Sequence, residues 1–318
     1  MATILAAIAG LLVGGTAVPA RDVAATLLHP NTHSDVATIV LQLRLSRVVI
    51  AAIVGCALAC GGFLLQGMLR NPLADPYLTG VSAGAATGIV LAITAGVAIA
   101  FVPAIGFVCG IATAALVAAL SRRGGGIDAN RLILAGVSLS SFFAAIITLI
   151  LTKAQTVQAS DSIVAWLAGT VAGRGWHDLL FTSAYIIAGL VLAAASVPAV
   201  NALRLGDTRA SAIGLNVERA QWIILAATSL LAASSVVLAG TVGFVGLIGP
   251  HIARRITGSN ARFALPAAAL TGATIAVLAD AISRSLFPPI EFPIGVLLAF
   301  IGVPSFLYLY LRERHAIA

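Results

Sequence analysis

Charge is what this chain lacks. Of its 318 residues only 9% are Asp, Glu, Lys or Arg, and the acids number 11, where a soluble domain carries about 25% charged residues. So few charges cannot cover a watery surface of this size, which excludes a soluble globular fold. With 60% hydrophobic residues and a mean hydropathy of +1.08, the chain is an integral membrane protein. Sulfur is scarce too, with 3 Cys and 2 Met. Cys56 and Cys60 stand one helical turn apart in an apolar run and Cys109 lies in another, positions that suit small packing residues better than a disulfide or a soft-metal site. The net charge of +7 and the pI near 10.2 would suit nucleic acid. The arginines, however, sit at the ends of apolar runs rather than along one face, as the positive-inside rule produces, so no nucleic-acid partner is expected. The first twenty residues lack a basic start, and no cleaved leader is expected.

Signatures of chemistry are missing as well. Gly124-Gly125-Gly126-Ile127-Asp128 is not followed by Lys-Ser/Thr, so the chain has no P-loop to cradle ATP. A His-Glu-x-x-His string is absent. His29 and His33 have a metal-like spacing, but Pro30 and Asn31 between them make a loop, and no metal site is assigned. Nucleophile–base pairs do not occur inside the apolar runs, so an enzyme is not expected. Ion-driven transport needs ionisable groups at membrane depth, and the long runs hold none. Asp280 alone stands near a span, with Arg284 one turn on, which reads as a local helix-end pair. A transporter without an ATP site or an ion site draws its energy from a partner.

What is present is a series of membrane-length runs. A span needs about 20 apolar residues, and charge-free runs occupy 1–20, 48–69, 76–121, 132–152, 179–203, 220–253, 263–279 and 292–311. The third is long enough for two helices broken at Gly96 and Pro103. The run 220–253 holds a full helix to about Ala239 and then a short glycine-rich segment ending at Pro250-His251. Ten spans with both termini inside leave Arg70, Arg122, Arg123, Arg131, Arg204, Arg209, Arg219, Arg254, Arg255, Arg262, Arg312 and Arg314 on the inner side, and Arg21, Arg44, Arg47, Lys153, Arg174 and Arg284 outside. Omitting the short segment would turn the C-terminal arginine pair outward and weaken that bias. Gly80, Gly84 and Gly88 recur every four residues and give one helix a bare face for a close neighbour, as do Gly243, Gly246 and Gly249. A faint echo between 48–76 and 220–250 is compatible with a structural repeat.

Three blocks carry a family resemblance. The first is Arg44-Leu45-Ser46-Arg47, an apolar run, then Gln66-Gly67-Met68-Leu69-Arg70-Asn71-Pro72-Leu73-Ala74-Asp75-Pro76 and Gly80-Val81-Ser82-Ala83-Gly84. The second is Gly240-Thr241-Val242-Gly243-Phe244-Val245-Gly246-Leu247-Ile248-Gly249-Pro250-His251-Ile252-Ala253-Arg254. The third is Glu291-Phe292-Pro293-Ile294-Gly295 with Gly302-Val303-Pro304-Ser305-Phe306. In this order they closely resemble the FecCD-type permease subunits of ABC importers for iron chelates, haem and vitamin B12. The resemblance implies an all-α polytopic membrane protein with about ten transmembrane helices, similar to the vitamin B12 importer permease, as a single permease domain over 1–318.

It also implies roles. Arg44, Arg47 and Arg284 match arginines that receive acidic residues of a soluble substrate-binding protein, against the plainer reading of snorkelling anchors. The family usually has proline where Ser46 stands, so a less rigid helix start is expected. Asn71 and Leu73 narrow the inner mouth of the pathway, with the loop at Asp128-Ala129-Asn130-Arg131 as the other gate position. Ala129 and Asn130 depart there from the small hydroxyl residues common in the family. The polar stretch 204–219 matches the segment that couples to the ATPase, through Leu205, Gly206, Asp207, Ala210, Ile213, Gly214 and Leu215. It should form a small helix pair with Ala210, Ile213 and Leu215 as its apolar edge. His251 takes a structural role near the ATPase face.

The implied assembly is a second permease copy, two ABC ATPase subunits and the binding protein in a bacterial inner membrane, with both termini cytoplasmic. Some members pair with a non-identical permease instead. This chain binds no cofactor; ATP and Mg belong to the ATPase. The cargo is a bulky ferric siderophore, haem or corrinoid. The rival reading is a secondary carrier that uses no ATPase.

Overall fold

The computed structural model describes residues 1–14, 18–29, 34–124, 126–153, 163–164, 166–287 and 291–315, with 153 and 306–315 described by backbone alone. His33, Pro30, Asn31 and Gly125, singled out above, lie outside the described residues. The described chain is a helical array: α1 (Ala2–Leu12), α2 (Ala20–Leu28), α3 (Asp35–Thr38), α4 (Ser46–Leu69), α5 (Val81–Thr94), α6 (Val102–Leu120) and α7 (Ala129–Lys153) come first. Then follow α8 (Trp176–Ala195), α9 (Val197–Leu203), α10 (Asp207–Ala212), α11 (Val217–Ala239), α12 (Val245–Thr257), α13 (Ala261–Ser285) and α14 (Ile294–His315). A two-residue hairpin, Arg122–Arg123 against Gly126–Ile127, precedes α7. Six helical segments are long and apolar enough to cross a membrane, and Ala2–Leu12, Val81–Thr94 and Ile294–Ser305 are shorter apolar helices. The breaks expected at Gly96 and Pro103 separate α5 from α6.

Two helices form the centre. The apolar windows of the α3–α4 segment and of α11 are each 78% buried, against 11% for α7, so α7 is peripheral and carries exposed Leu134, Phe142 and Leu149. Packing around α4 is close because it meets its neighbours through glycine. A Cβ on Gly55 would lie 2.2 Å from the carbonyl oxygen of Gly272 on α13, and one on Gly62 would lie 2.0 Å from that of Gly246 on α12. The bare face of α5 works in the same way, since a Cβ on Gly84 would meet Thr113 Oγ1 at 2.0 Å and one on Gly88 would meet Cys109 Sγ at 2.6 Å. Without a hydrophobic force between helices in lipid, such contact supplies the dispersion energy that holds them together.

Three local expectations are corrected. The helix expected to begin at residue 48 is continuous from Asp35 to Leu69, passing through a π-helical stretch, Ile39–Leu45. Ser46 lets it continue: unlike proline it keeps its N–H in the ladder, and its Oγ donates to the carbonyls of Gln42 and Leu43. Ala129 and Asn130 are not in a loop but open α7, because Asp128 Oδ1 accepts the Arg131 N–H at 3.0 Å and caps that helix. The short segment expected to end at Pro250-His251 runs on to Thr257. Pro250 cannot donate to the Gly246 carbonyl one turn back, and Gln66 Nε2 from α4 takes that acceptor at 3.0 Å. The side chain of α4 thus replaces a missing backbone bond of α12.

Candidate functional site

At one end of the bundle Arg44, Arg47 and Arg284 converge. Arg44 and Arg284 are only 4% and 5% exposed, and Asp280 1%. Asp280 accepts from Arg47 Nε at 2.8 Å and pairs with Arg284 Nη2 at 2.9 Å, tying α4 to α13. Arg47 also reaches Glu291 at 2.9 Å, just before α14. The remaining donors turn to the open C-terminal carbonyls of α1: Arg44 Nη1 to Leu11 at 2.9 Å, Arg284 Nη1 to Val13 and Nη2 to Gly10, both at 3.1 Å. Cations are favoured at a helix C-terminus, where the last carbonyls lack partners. Asp280 does pair with Arg284 as the spacing suggested, but as half of a two-arginine clasp. Arg44 and Arg284 therefore point into the protein, Arg47 is largely buried between Asp280 and Glu291, and Glu291 is the half-exposed member of the group.

Toward the middle lies an apolar cavity of about 740 Å³, lined among others by Tyr77, Leu167, Thr241, Phe244, Val296 and Phe300. Among the described residues no charged side chain lines it. Its wall exists because three glycines meet: Gly240 ends α11 at φ 68°, ψ −153°, a conformation essentially reserved for glycine. A Cβ there would lie 2.2 Å from the Trp166 carbonyl, and Gly295 donates to the Gly169 carbonyl at 3.2 Å. The extended stretch 241–243 follows, and Tyr77 OH accepts the Val242 N–H at 2.5 Å. Phe244, a non-glycine residue at φ 68°, then starts α12.

Next to Tyr77 sits a buried acid. Asp75 caps the short 3-10 helix Pro76–Thr79 by accepting the Tyr77 N–H at 2.9 Å. It forms no ion pair among the described residues, and burial pushes its carboxyl up to about 6. Asn71 Oδ1 accepts the Leu73 N–H at 2.9 Å, which folds the turn so that Leu73 projects outward and exposed. A second, polar cavity of about 620 Å³ brings together Arg70, Asp128, Ala129, Asn130, Asp207 and Gln221. Two of the expected gate residues and one of the coupling residues thus share one space, whereas Asn71 and Leu73 do not line it. The Gln221 carboxamide holds the hairpin there, accepting the Ile127 N–H at 2.7 Å, beside an Arg122–Glu218 pair at 2.7 Å.

The coupling segment resolves into α10 between Gly206 at φ 101° and Gly214 at φ 88°, with α9 before it. Its apolar edge divides in two. Ala210 is fully buried and Leu215 packs on the core, whereas Leu205 and Ile213 are 56% and 67% exposed. The exposed apolar residues of this segment are therefore Leu205 and Ile213.

The profile of the FecCD transport family matches residues 2–312. The chain belongs to that family. It is 35% identical over 295 residues to the hemin transport system permease protein HmuU of Yersinia pestis, covering 91% of this chain and 88% of that protein. With the cobalamin import system permease protein BtuC of Halobacterium salinarum it shares 36% over 304 residues, 95% of this chain and 81% of that one. A solved metal-chelate type ABC transporter in an inward-facing conformation superposes with a TM-score of 0.86 at 32% identity, covering 98% of this chain and 96% of that chain. These relatives are permease components rather than enzymes, and this FecCD-family chain is a multi-pass membrane protein. Sequence reasoning missed Asp75 and Tyr77 as a buried pair, Gln66 as the partner of Gly246, and Glu291 as the second acid on Arg47. Only Gln66, a lone amide in the charge-free run 48–69, carries a visible signal.

Proposed function

We propose that the chain is the permease subunit of a binding-protein-dependent ABC importer for a bulky metal chelate such as a ferric siderophore, haem or a corrinoid. The observation that carries this reading is the match of the family along almost the whole chain, joined to a cavity of about 740 Å³ without a charged wall. An uncharged lining offers few places to trap a large chelate in transit. The chain crosses the membrane ten times with both termini cytoplasmic, Val245–Thr257 being the short crossing. It pairs with a second copy and with two ATPase subunits. Leu205 and Ile213 enter the ATPase cleft, with Gly206, Asp207, Ala210, Gly214 and Leu215 holding the turn that presents them. Asn71, Leu73, Ala129 and Asn130 form the inner gate.

The outer arginines receive the binding protein. Three guanidiniums against Asp280 and Glu291 leave that end net positive, and an incoming carboxylate exchanges with Glu291 on Arg47, while Arg44 and Arg284 hold the field and the helix ends. An ion-driven carrier would need a titratable group free at membrane depth; Asp280 is engaged by two arginines, and Asp75 sits in the turn after α4 as the cap of the 3-10 helix Pro76–Thr79. The test is co-purification. Wild-type chain should bring down an ABC ATPase, and Leu205→Asp with Ile213→Asp should lose it while inserting normally; undiminished capture by the double variant places the ATPase contact elsewhere.

A further inference from the structure

A second arginine cluster stands at the other end of α4, and the importer reading gives it no task. Arg70, Arg204 and Arg254 line a cavity of about 220 Å³ together with Gln66 and apolar walls from Phe63 and Val200, and no carboxylate is among the lining residues. Few of the guanidinium donors have protein partners. Arg254 Nη2 donates to Gln66 Oε1 and its guanidinium lies 5.8 Å from the centre of the Phe63 ring. Arg204 Nη1 donates to the Ser259 carbonyl. Arg70 meets Asp207 at 3.6 Å, both side chains being about half exposed. Each guanidinium carries five N–H donors, and most of them have no hydrogen-bond partner among the described residues.

Helix ends do not cancel this charge. Arg70 follows α4, Arg204 follows α9, and Arg254 lies in the last turn of α12. Each helix C-terminus contributes at most about half a negative elementary charge and Asp207 offsets part of Arg70, which still leaves the cluster net positive. A half-buried cation without a counter-charge is costly.

We infer that the Arg70–Arg204–Arg254 cavity is a binding site for a phosphate-class anion, either a lipid headgroup phosphate or free phosphate. Planar guanidiniums offer paired donors that match phosphate oxygens, and Gln66 Nε2 is already committed to the carbonyls of Ala74 and Gly246, so the arginines would do the holding. On the topology proposed above, the cavity lies at the cytoplasmic headgroup level, where basic pockets between helices take anionic lipid. Exposed Ile252 and Ile256 on α12 supply apolar surface on the helix that carries Arg254. A bound phosphate would brace α4, α9 and α12, which surround both the gate turn and the coupling segment.

The experiment uses the full chain in a phosphate-free detergent buffer. Native mass spectrometry and thermal unfolding would be followed on adding cardiolipin, phosphatidylglycerol, phosphatidylcholine or inorganic phosphate. The expected result is retained cardiolipin or phosphatidylglycerol with a raised Tm, and at least tenfold weaker binding in Arg204→Gln and in the more exposed Arg70→Gln. Stabilisation by inorganic phosphate alone, lost in the same variants, also supports the site and assigns it to the free ion. Equal retention of phosphatidylcholine and anionic lipid, or unchanged anion binding in both variants, overturns it. Stabilisation only by an acidic peptide would overturn it too, and would assign the cluster to a protein partner. None of these readouts depends on transport, so failure here leaves the importer reading standing.

Discussion

The two ends of α4 use the same residue types in opposite ways. At the outer end, buried Asp280 sits between Arg47 and Arg284, and the spare donors close the carbonyls of α1. At the Leu69 end, roughly 35 Å along a 24-residue helix, buried Asp75 is kept apart from the arginines, of which Arg70 alone meets an acid, the half-exposed Asp207 at 3.6 Å. Asp75 is buried against Tyr77 without an ion pair among the described residues, and Arg70, Arg204 and Arg254 face a cavity with no carboxylate. A paired end is stiff and self-sufficient. An end with separated charges is poised to accept a ligand or to rearrange, which suits a gate.

The largest effect should come from breaking the paired end. Asp280→Ala leaves two nearly buried guanidiniums without their carboxylate, and removing one partner of a buried pair costs about 3–5 kcal/mol. Thermal unfolding in detergent checks this, and a loss below about 1 kcal/mol would mean the clasp is not what holds α4 to α13.

The matching change at the inner end should have the opposite sign. Asp75 ionises near pH 6 in the folded protein and near 4 in an unfolded chain. Between these values the folded state binds the extra proton, so stability falls as pH rises from about 4 to 6 and stays low above. Asp75→Asn keeps the acceptor for the Tyr77 N–H but removes the charge. It should abolish that slope and raise stability at pH 7 by up to about 3 kcal/mol. A wild-type slope surviving in the variant would show that another group titrates.

The smallest expected effect is the one on docking, read separately from the stability that Arg47→Glu also loses with its Asp280 pair. Arg47→Glu should weaken binding-protein capture at least tenfold, about 1.4 kcal/mol, and a Glu→Arg change on the partner should restore part of it, since close interfacial charge pairs couple by about 1.5–7 kcal/mol. The loss should shrink at high salt. If the variant merely inserts poorly and no partner change compensates, the arginines are structural only.

Much of the fold was legible because membrane helices announce themselves by the absence of charge. The break at Gly96 and Pro103, the end of α11 near Ala239 and the close packing at Gly84, Gly88, Gly246 and Gly249 follow from the sequence pattern, whereas Gly80 and Gly243 lie just ahead of their helices. The errors have a common cause. Arg44 and Arg47 were read as the boundary of a span because unpaired arginines do not enter lipid, but here Asp280, Glu291 and the α1 carbonyls give them protein partners, and the helix runs on past them to Asp35. Those partners lie about 30 to 240 residues away in sequence, so no local pattern could reveal them. The coupling edge divided for a similar reason: Ala210 and Ile213 look equivalent on a six-residue helix, and only the packing of α10 decides which is buried.

The central claim is that this chain moves a metal chelate with energy from a partner ATPase. The most direct measurement places the chain, co-expressed with the ABC ATPase and binding protein that co-purify with it, in proteoliposomes and follows uptake of a ferric siderophore, hemin or cobalamin. The account predicts accumulation of at least one of these that requires ATP and disappears with Leu205→Asp plus Ile213→Asp. Accumulation that persists without ATP, or that follows an imposed proton or sodium gradient, would contradict it.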